Sequence, residues 1–218
     1  MSHGKDQGAS YRFRTPTTAT RQSKFGSNCW MFKSIKVGRM VRVFGNLQYY
    51  NVLSAEMDPD VLYYCENPDI STVWDIGSLP SSPAVDLWLQ RRDGREEYQI
   101  IKYSETLKGY DALSQQETGG IRFNVLTEKE IIPGRYYVQN LSFLYGRVCR
   151  LGAGYKDPAT ESVLRFLTTE TSCTCRDISD VLGIPVAKVL DILAVLHYNG
   201  KIHLNLTAAP ICYETEVN

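Results

Sequence analysis

Long apolar runs are absent from this 218-residue chain. Nowhere do the roughly 18 consecutive apolar residues of a membrane-spanning helix occur. The first 26 residues hold no apolar stretch either, which excludes a secretory signal. Histidine is scarce, with only His3, His197 and His203. The six cysteines are scattered (Cys29, Cys65, Cys149, Cys173, Cys175, Cys212) and form no Cys-x-x-Cys pair. Cys173 and Cys175 stand too close together for the usual zinc half-site. These absences exclude a zinc-built fold and lead us to expect reduced thiols in a soluble, cytoplasmic protein. Acid is nearly missing from the first forty residues, where Lys5, Arg12, Arg14, Arg21, Lys24, Lys33, Lys36 and Arg39 face Asp6 alone. Ser, Thr, Gly and Gln between them leave little apolar surface to bury. Residues 1–27 therefore read as a basic, flexible arm, either a phosphate contact or a solvated tail.

Beyond the arm, the composition is that of a globular protein long enough for one large domain or two small ones. Residues 28–44 mix aromatic, β-branched and basic types and predict one or two short strands or an ordered lead-in. Over 45–58, Leu47, Tyr50, Val52, Leu53 and Met57 approach helical spacing. Asp58-Pro59 ends that helix, because a residue before proline avoids the helical region. Strands are predicted over 61–66, 71–76 and 84–90. Arg92-Asp93-Gly94-Arg95 signals a hairpin, with 96–104 as its return strand. A polar helix over 105–118, a strand over 121–127 and helical segments through 151 complete an α/β domain with a mixed sheet.

Residues 151–158 read as a linker, and the pattern then changes. Helices are predicted over 159–170, 175–184 and 185–202, with Pro185 in a first turn and Asn199-Gly200 at a C-cap. Residues 201–215 follow as a two-stranded wing. Three helices and a β-hairpin make a winged helix.

Several short motifs fall in a telling order. They are Asn46-Leu47-Gln48 at a helix start, Asp58-Pro59-Asp60-Val61, Glu66-Asn67-Pro68, Val85-Asp86-Leu87 on a strand and Ile100-Ile101-Lys102 one hairpin later. The most literal is Thr127-Glu128-Lys129-Glu130-Ile131, and Asn199-Gly200-Lys201-Ile202 stands at a helix-to-wing junction. In this order the chain resembles TnsA, the endonuclease subunit of heteromeric cut-and-paste transposases, over roughly residues 35–213.

The resemblance implies a restriction-endonuclease-like domain over 28–151 and a winged-helix domain over 152–218. It implies nicking of the 5′ transposon ends with Mg²⁺ or Mn²⁺. Asp86 would ligate the metal, Gln48 and the Ile101 carbonyl would complete its oxygen shell, and Lys102 would serve the attacking water. Alternation along paired strands would let Asp86 and Lys102 share one face. The implied partners are double-stranded DNA, a DDE transposase of the TnsB type and an ATPase of the TnsC type. Two departures stand out. Gln48 replaces the family's helix glutamate with an uncharged amide, and Ile100 offers no ligand, so the metal would be weakly held. Glu66 or Asp93 is left to compensate.

Two alternatives remain at this stage. One is a catalytically inactive TnsA-like scaffold or DNA-binding subunit. The other is a winged-helix DNA-binding regulator. The third helix carries few basic residues besides Lys188, which favours protein docking over groove reading. Tyr49, Tyr50, Tyr63, Tyr64, Trp74 and Trp88 alternate with apolar residues and read as core rather than base-stacking aromatics.

Overall fold

The structure is a computed structural model; it describes residues 11–17, 27–72, 85–103, 117–118, 121–169 and 172–217. A β-hairpin of β1 (Cys29–Lys33) and β2 (Met40–Phe44) leads into helix α1 (Asn46–Met57). Strands β3 (Val61–Glu66), β4 (Leu87–Arg91), β5 (Glu96–Ile101), β6 (Glu117–Thr118) and β7 (Ile121–Leu126) form one mixed sheet in the order β3-β4-β5-β7-β6. The β5–β7 pairing is parallel and the others are antiparallel. The helices α2 (Glu128–Ile131), α3 (Tyr137–Leu151), α4 (Thr160–Thr169), α5 (Cys175–Leu182) and α6 (Val186–Tyr198) follow. Two short strands, β8 (Cys173–Thr174) and β9 (Glu216–Val217), pair antiparallel. Among the described residues no helix is long and apolar enough to cross a membrane.

Helix α1 is the keystone. It buries Val52 and Ala55 against Val61, Tyr64, Leu87 and Leu89 of the sheet. Its Leu53 and Met57 enter a second cluster with α3 and the C-terminal helices. A helix buried on two sides has no strong polar face, which explains its blurred periodicity. The fully buried Glu56 carboxylate accepts from Ser34 Oγ (2.5 Å), Tyr64 Oη (2.7 Å), Ile35 N (2.9 Å) and Lys36 N (3.2 Å). Those donors satisfy a charge that would otherwise be costly to bury, and they tie the β1–β2 turn to α1.

The other face of the sheet is covered by residues expected to be a free arm. Phe13 is buried among Trp88, Tyr98, Tyr63, Ile100 and Phe123. Tyr11 stacks on Tyr63 at 4.0 Å, and Arg12 pairs with Glu96 at 3.1 Å. Residues 11–17 are therefore a strap across the sheet. Three closely spaced anchors, Tyr11, Phe13 and Thr17, outweigh the polar composition around them. Residues 1–10 and 18–26 of the arm lie outside the described residues.

Other expectations also change. Glu117–Thr118 pair with β7 and are a strand rather than a helix end. The rest of the predicted 105–116 helix lies outside the described residues. Ile70–Thr72 form a 3-10 turn where a strand over 71–76 was expected, and residues 73–76 lie outside the described residues. The Thr127-Glu128-Lys129-Glu130 motif forms a complete capping box that starts α2.

The hydrophobic core does not break at the expected 151–158 linker. Leu141, Leu144 and Val148 of α3 share one cluster with Val163, Ile178, Val189, Ile192 and Leu193. The two-stranded wing expected within 201–215 is not formed, since no residue between them is in a strand. The buried Asn140 side chain of α3 takes the place of the ladder. Its Nδ2 donates to Leu206 O (2.9 Å) and Ala209 O (2.7 Å), and its Oδ1 accepts from Ile211 N (2.9 Å). Asn205 Oδ1 accepts from Thr207 N (3.0 Å), and Pro210 has no N–H to pair. The chain end pairs instead with β8, ahead of α5.

Candidate functional site

The site is built at the end of the sheet where α1 begins. Gly45, at φ 91°, turns the chain sharply from β2 into α1, a conformation that favours glycine. Gln48 is then the third residue of the helix, where a Gln or Glu side chain can reach back to an unpaired backbone N–H. It does so: Phe44 N donates to Gln48 Oε1 at 2.9 Å. That bond fixes which end of the amide points outward. Gln48 Nε2 donates to Asn67 Oδ1 at 3.1 Å and, in a longer contact, to Asp86 Oδ1 at 3.4 Å.

Asp86 stands just before β4 and is held on all sides. Its N–H donates to Gln99 O (2.9 Å), and its carbonyl accepts from Asn67 N (2.9 Å). Its second carboxylate oxygen accepts from Ile101 N at 2.7 Å. Three of the expected residues, Gln48, Asp86 and Ile101, thus meet at one corner. Lys102 follows directly, with its N–H donated to Leu126 O of β7 at 3.0 Å. Gln99 is bonded to α1 through Asn51, whereas Ile100 packs among Trp88, Tyr98 and Phe123.

Neither expected substitute joins the corner. Glu66 is buried and held by Arg39 through two 2.6 Å bonds. Asp93 lies in the β4–β5 turn at the far end of the hairpin, paired with Arg95 at 2.6 Å.

The groups that meet here do not fit a divalent cation in this arrangement. Gln48 presents an N–H donor to Asp86, not its oxygen. Ile101 likewise contributes an N–H to that carboxylate. Magnesium and manganese require converging hard oxygens. Among the described residues no three His, Cys, Asp or Glu side chains are grouped to hold a metal.

Asn67 is the site residue that motif reading missed. It is the one non-glycine residue with positive φ (44°) among those described, and it precedes Pro68. Asn tolerates the left-handed region better than most residues, yet a residue before proline is restricted. The strain is held from outside, because Thr17 N and Oγ1 both donate to Asn67 O, at 2.9 and 2.7 Å. The strap, expected to be part of a flexible arm, therefore ends on this corner. An Asn-Pro pair after a strand was the available signal.

Polar side chains continue from this corner along the α1 face of the sheet. Asn51 Nδ2 donates to Gln99 Oε1 (2.7 Å), and Asn124 Nδ2 donates to Glu97 Oε2 (3.1 Å). Arg91 pairs with both Glu97 and Asp58. Asn51, Gln99 and Arg91 line a cleft of about 790 Å³ that is closed on its other side by Tyr137, His197 and His203. Burial and the neighbouring His203 push the His197 imidazole below its usual pKa. Its Nδ1 accepts from Leu204 N at 3.4 Å, a structural use.

Of the basic residues near the N-terminus, four are held internally. Arg12 pairs with Glu96, Arg39 pairs with Glu66, and Arg14 lies over the Tyr11 ring at 5.7 Å. Lys36 Nζ donates to Ala55 O at 2.9 Å and to Asp58 O at the end of α1. The third C-terminal helix, α6, buries nine of its thirteen residues. On its remaining side Lys188 pairs with Asp157 (3.1 Å), while Arg147 and Arg150 both pair with Asp191. That helix has no uncommitted charged face to lay in a DNA groove. Tyr63, Tyr64 and Trp88 are buried, Tyr49 stacks on Trp30 at 4.4 Å, and Trp74 lies outside the described residues. In comparisons with known proteins, no family model matches this chain and no curated sequence matches it.

Proposed function

We propose that this chain is the nuclease-like subunit of a heteromeric DNA transposase of the TnsA type. It would act on the duplex at transposon ends beside a DDE transposase of the TnsB type and an ATPase of the TnsC type. The observation that carries this reading is the meeting of Gln48, Asp86 and Ile101 at one corner of a mixed sheet, under the first turn of α1. A helix start and two strand ends, distant in sequence, converge there, and the resemblance marks these same residues.

The chemistry of that corner favours a subunit that holds DNA ends or partner proteins and does not cut. Both oxygens of Asp86 accept hydrogen bonds from the protein itself, and no step of strand cleavage follows from such a set. We read α4, β8, α5, α6 and β9 as a winged helix reduced to one ladder. The occupied face of α6 supports docking to protein partners over reading of a DNA groove, and weighs against the regulator reading.

The test uses a labelled transposon-end duplex with Mg²⁺ or Mn²⁺, with and without the partner transposase. Wild type is expected to bind the complex without nicking, and Gln48→Glu to gain nicking that Asp86→Ala removes. Nicking by wild type that vanishes in Asp86→Ala would restore the active-endonuclease reading. Failure of wild type to join DNA or either partner would remove the transposition reading.

A further inference from the structure

We propose that the Gln48 amide nitrogen replaces a cation at the head of the sheet, making this corner stable without metal and closed to it. The inference rests on the geometry of the corner and is independent of the transposition reading.

Four observations carry it. The Phe44 N–H holds Gln48 Oε1, so turning the amide over would set two donors against each other. The amide nitrogen then lies 3.1 Å from Asn67 Oδ1 and 3.4 Å from Asp86 Oδ1, bridging the two oxygens. Gln48 is 5% exposed, whereas Asn67 and Asp86 are half-buried, so an ion could take the place of the amide nitrogen only by displacing the Gln48 side chain. Finally, Asn67 is held in a left-handed conformation by Thr17 and Asp86, which aims its side chain at Gln48.

A polarised N–H₂ group supplies part of what a metal supplies, namely positive charge between two acceptors. A carboxylate at position 48 reverses the logic. One oxygen would keep the Phe44 N–H, and the other would face Asn67 Oδ1 and Asp86 Oδ1. Three oxygens would then converge where the amide donor now stands, an arrangement that repels itself when empty and suits a hard cation. Asn67 is thereby assigned as the third corner of the site.

Thermal unfolding of the full chain tests this in EDTA and in Mn²⁺. The wild-type midpoint is expected to be the same in both. Gln48→Glu should melt about 4–8 °C lower in EDTA, the shift expected for losing charge-assisted bonds in a chain this size, and recover in Mn²⁺. Gln48→Met should melt lower in both, because it has neither the donor nor the oxygen. A measurement on wild type alone guards against variants that fail to fold: Mn²⁺ should not broaden the backbone amide resonances of Asn67 and Ile101. Broadening of those signals, a wild-type midpoint raised by Mn²⁺, or a Gln48→Glu chain that Mn²⁺ does not restore would overturn the proposal. A wild type that ignores Mn²⁺ but binds neither DNA nor partners leaves this inference standing and removes only the transposition reading.

Discussion

Ile211 donates its backbone N–H to the buried side-chain oxygen of Asn140, seventy-one residues earlier in the chain. The same side chain donates to two carbonyls of the loop, so one residue of α3 replaces the ladder of a hairpin. Asn140→Leu strips partners from three backbone groups, of which Ile211 N belongs to a buried residue and Leu206 O to a half-buried one. It is expected to lower the free energy of unfolding by about 3 kcal/mol, since each orphaned group costs about 1–3 kcal/mol with partial rescue by water. Urea denaturation measures this, and a loss below about 1 kcal/mol would show that the loop carries itself.

The strap predicts that residues 11–17 belong to the folded core. Phe13→Ala should cost about 3 kcal/mol, as for other buried aromatic truncations. Arg12→Ala removes a half-exposed pair with Glu96 and should cost well under 1 kcal/mol. Equal effects of the two changes in a denaturant titration would mean that charge, not packing, holds the strap.

Lys36 gives the fold a testable pH dependence. Burial is the largest cause lowering its pKa to about 8, against partial opposition from Glu56 and Asp58. The unfolded chain keeps the ordinary lysine value near 10.4. Between those values the unfolded state binds more protons, so stability rises with pH above about 8. The gain should be visible below about pH 9.5. Beyond that the unfolded tyrosines ionise, whereas burial disfavours ionisation of Tyr64 and Tyr98 in the fold, and stability falls again. Subtracting the profile of Lys36→Met isolates the lysine contribution, and identical profiles would refute it.

Asn67 should discriminate between two small replacements. Both Asn67→Ala and Asn67→Gly lose the acceptor for Gln48, but only glycine tolerates φ 44° without strain. The glycine variant is expected to be more stable than the alanine variant by about 1 kcal/mol. Calorimetry on the pair measures the difference, and a more stable alanine variant would mean that the backbone relaxes out of the left-handed region.

Much of the architecture was legible in local patterns. The α1 helix, its stop at Asp58-Pro59, the β4–β5 hairpin around Gly94 and the three C-terminal helices lie close to where periodicity, proline and glycine predict them. These features depend on neighbours a few residues away. Asp86, Gln48 and Ile101 could also be marked in advance, because motif order survives without knowledge of packing.

What the sequence determined by itself was therefore the elements and the positions worth watching. Tertiary structure alone decided which atom of Gln48 faces Asp86, because that choice depends on the Phe44 N–H, which is placed by the turn at Gly45. It also decided that Phe13 is core and not tail, that Asn67 belongs to the site, and that Asn140 replaces a wing. Each depends on a partner distant in the chain, and local composition carries no record of such a partner. A hydrogen bond's sense and a residue's burial are properties of the assembled neighbourhood, not of the residue that shows them.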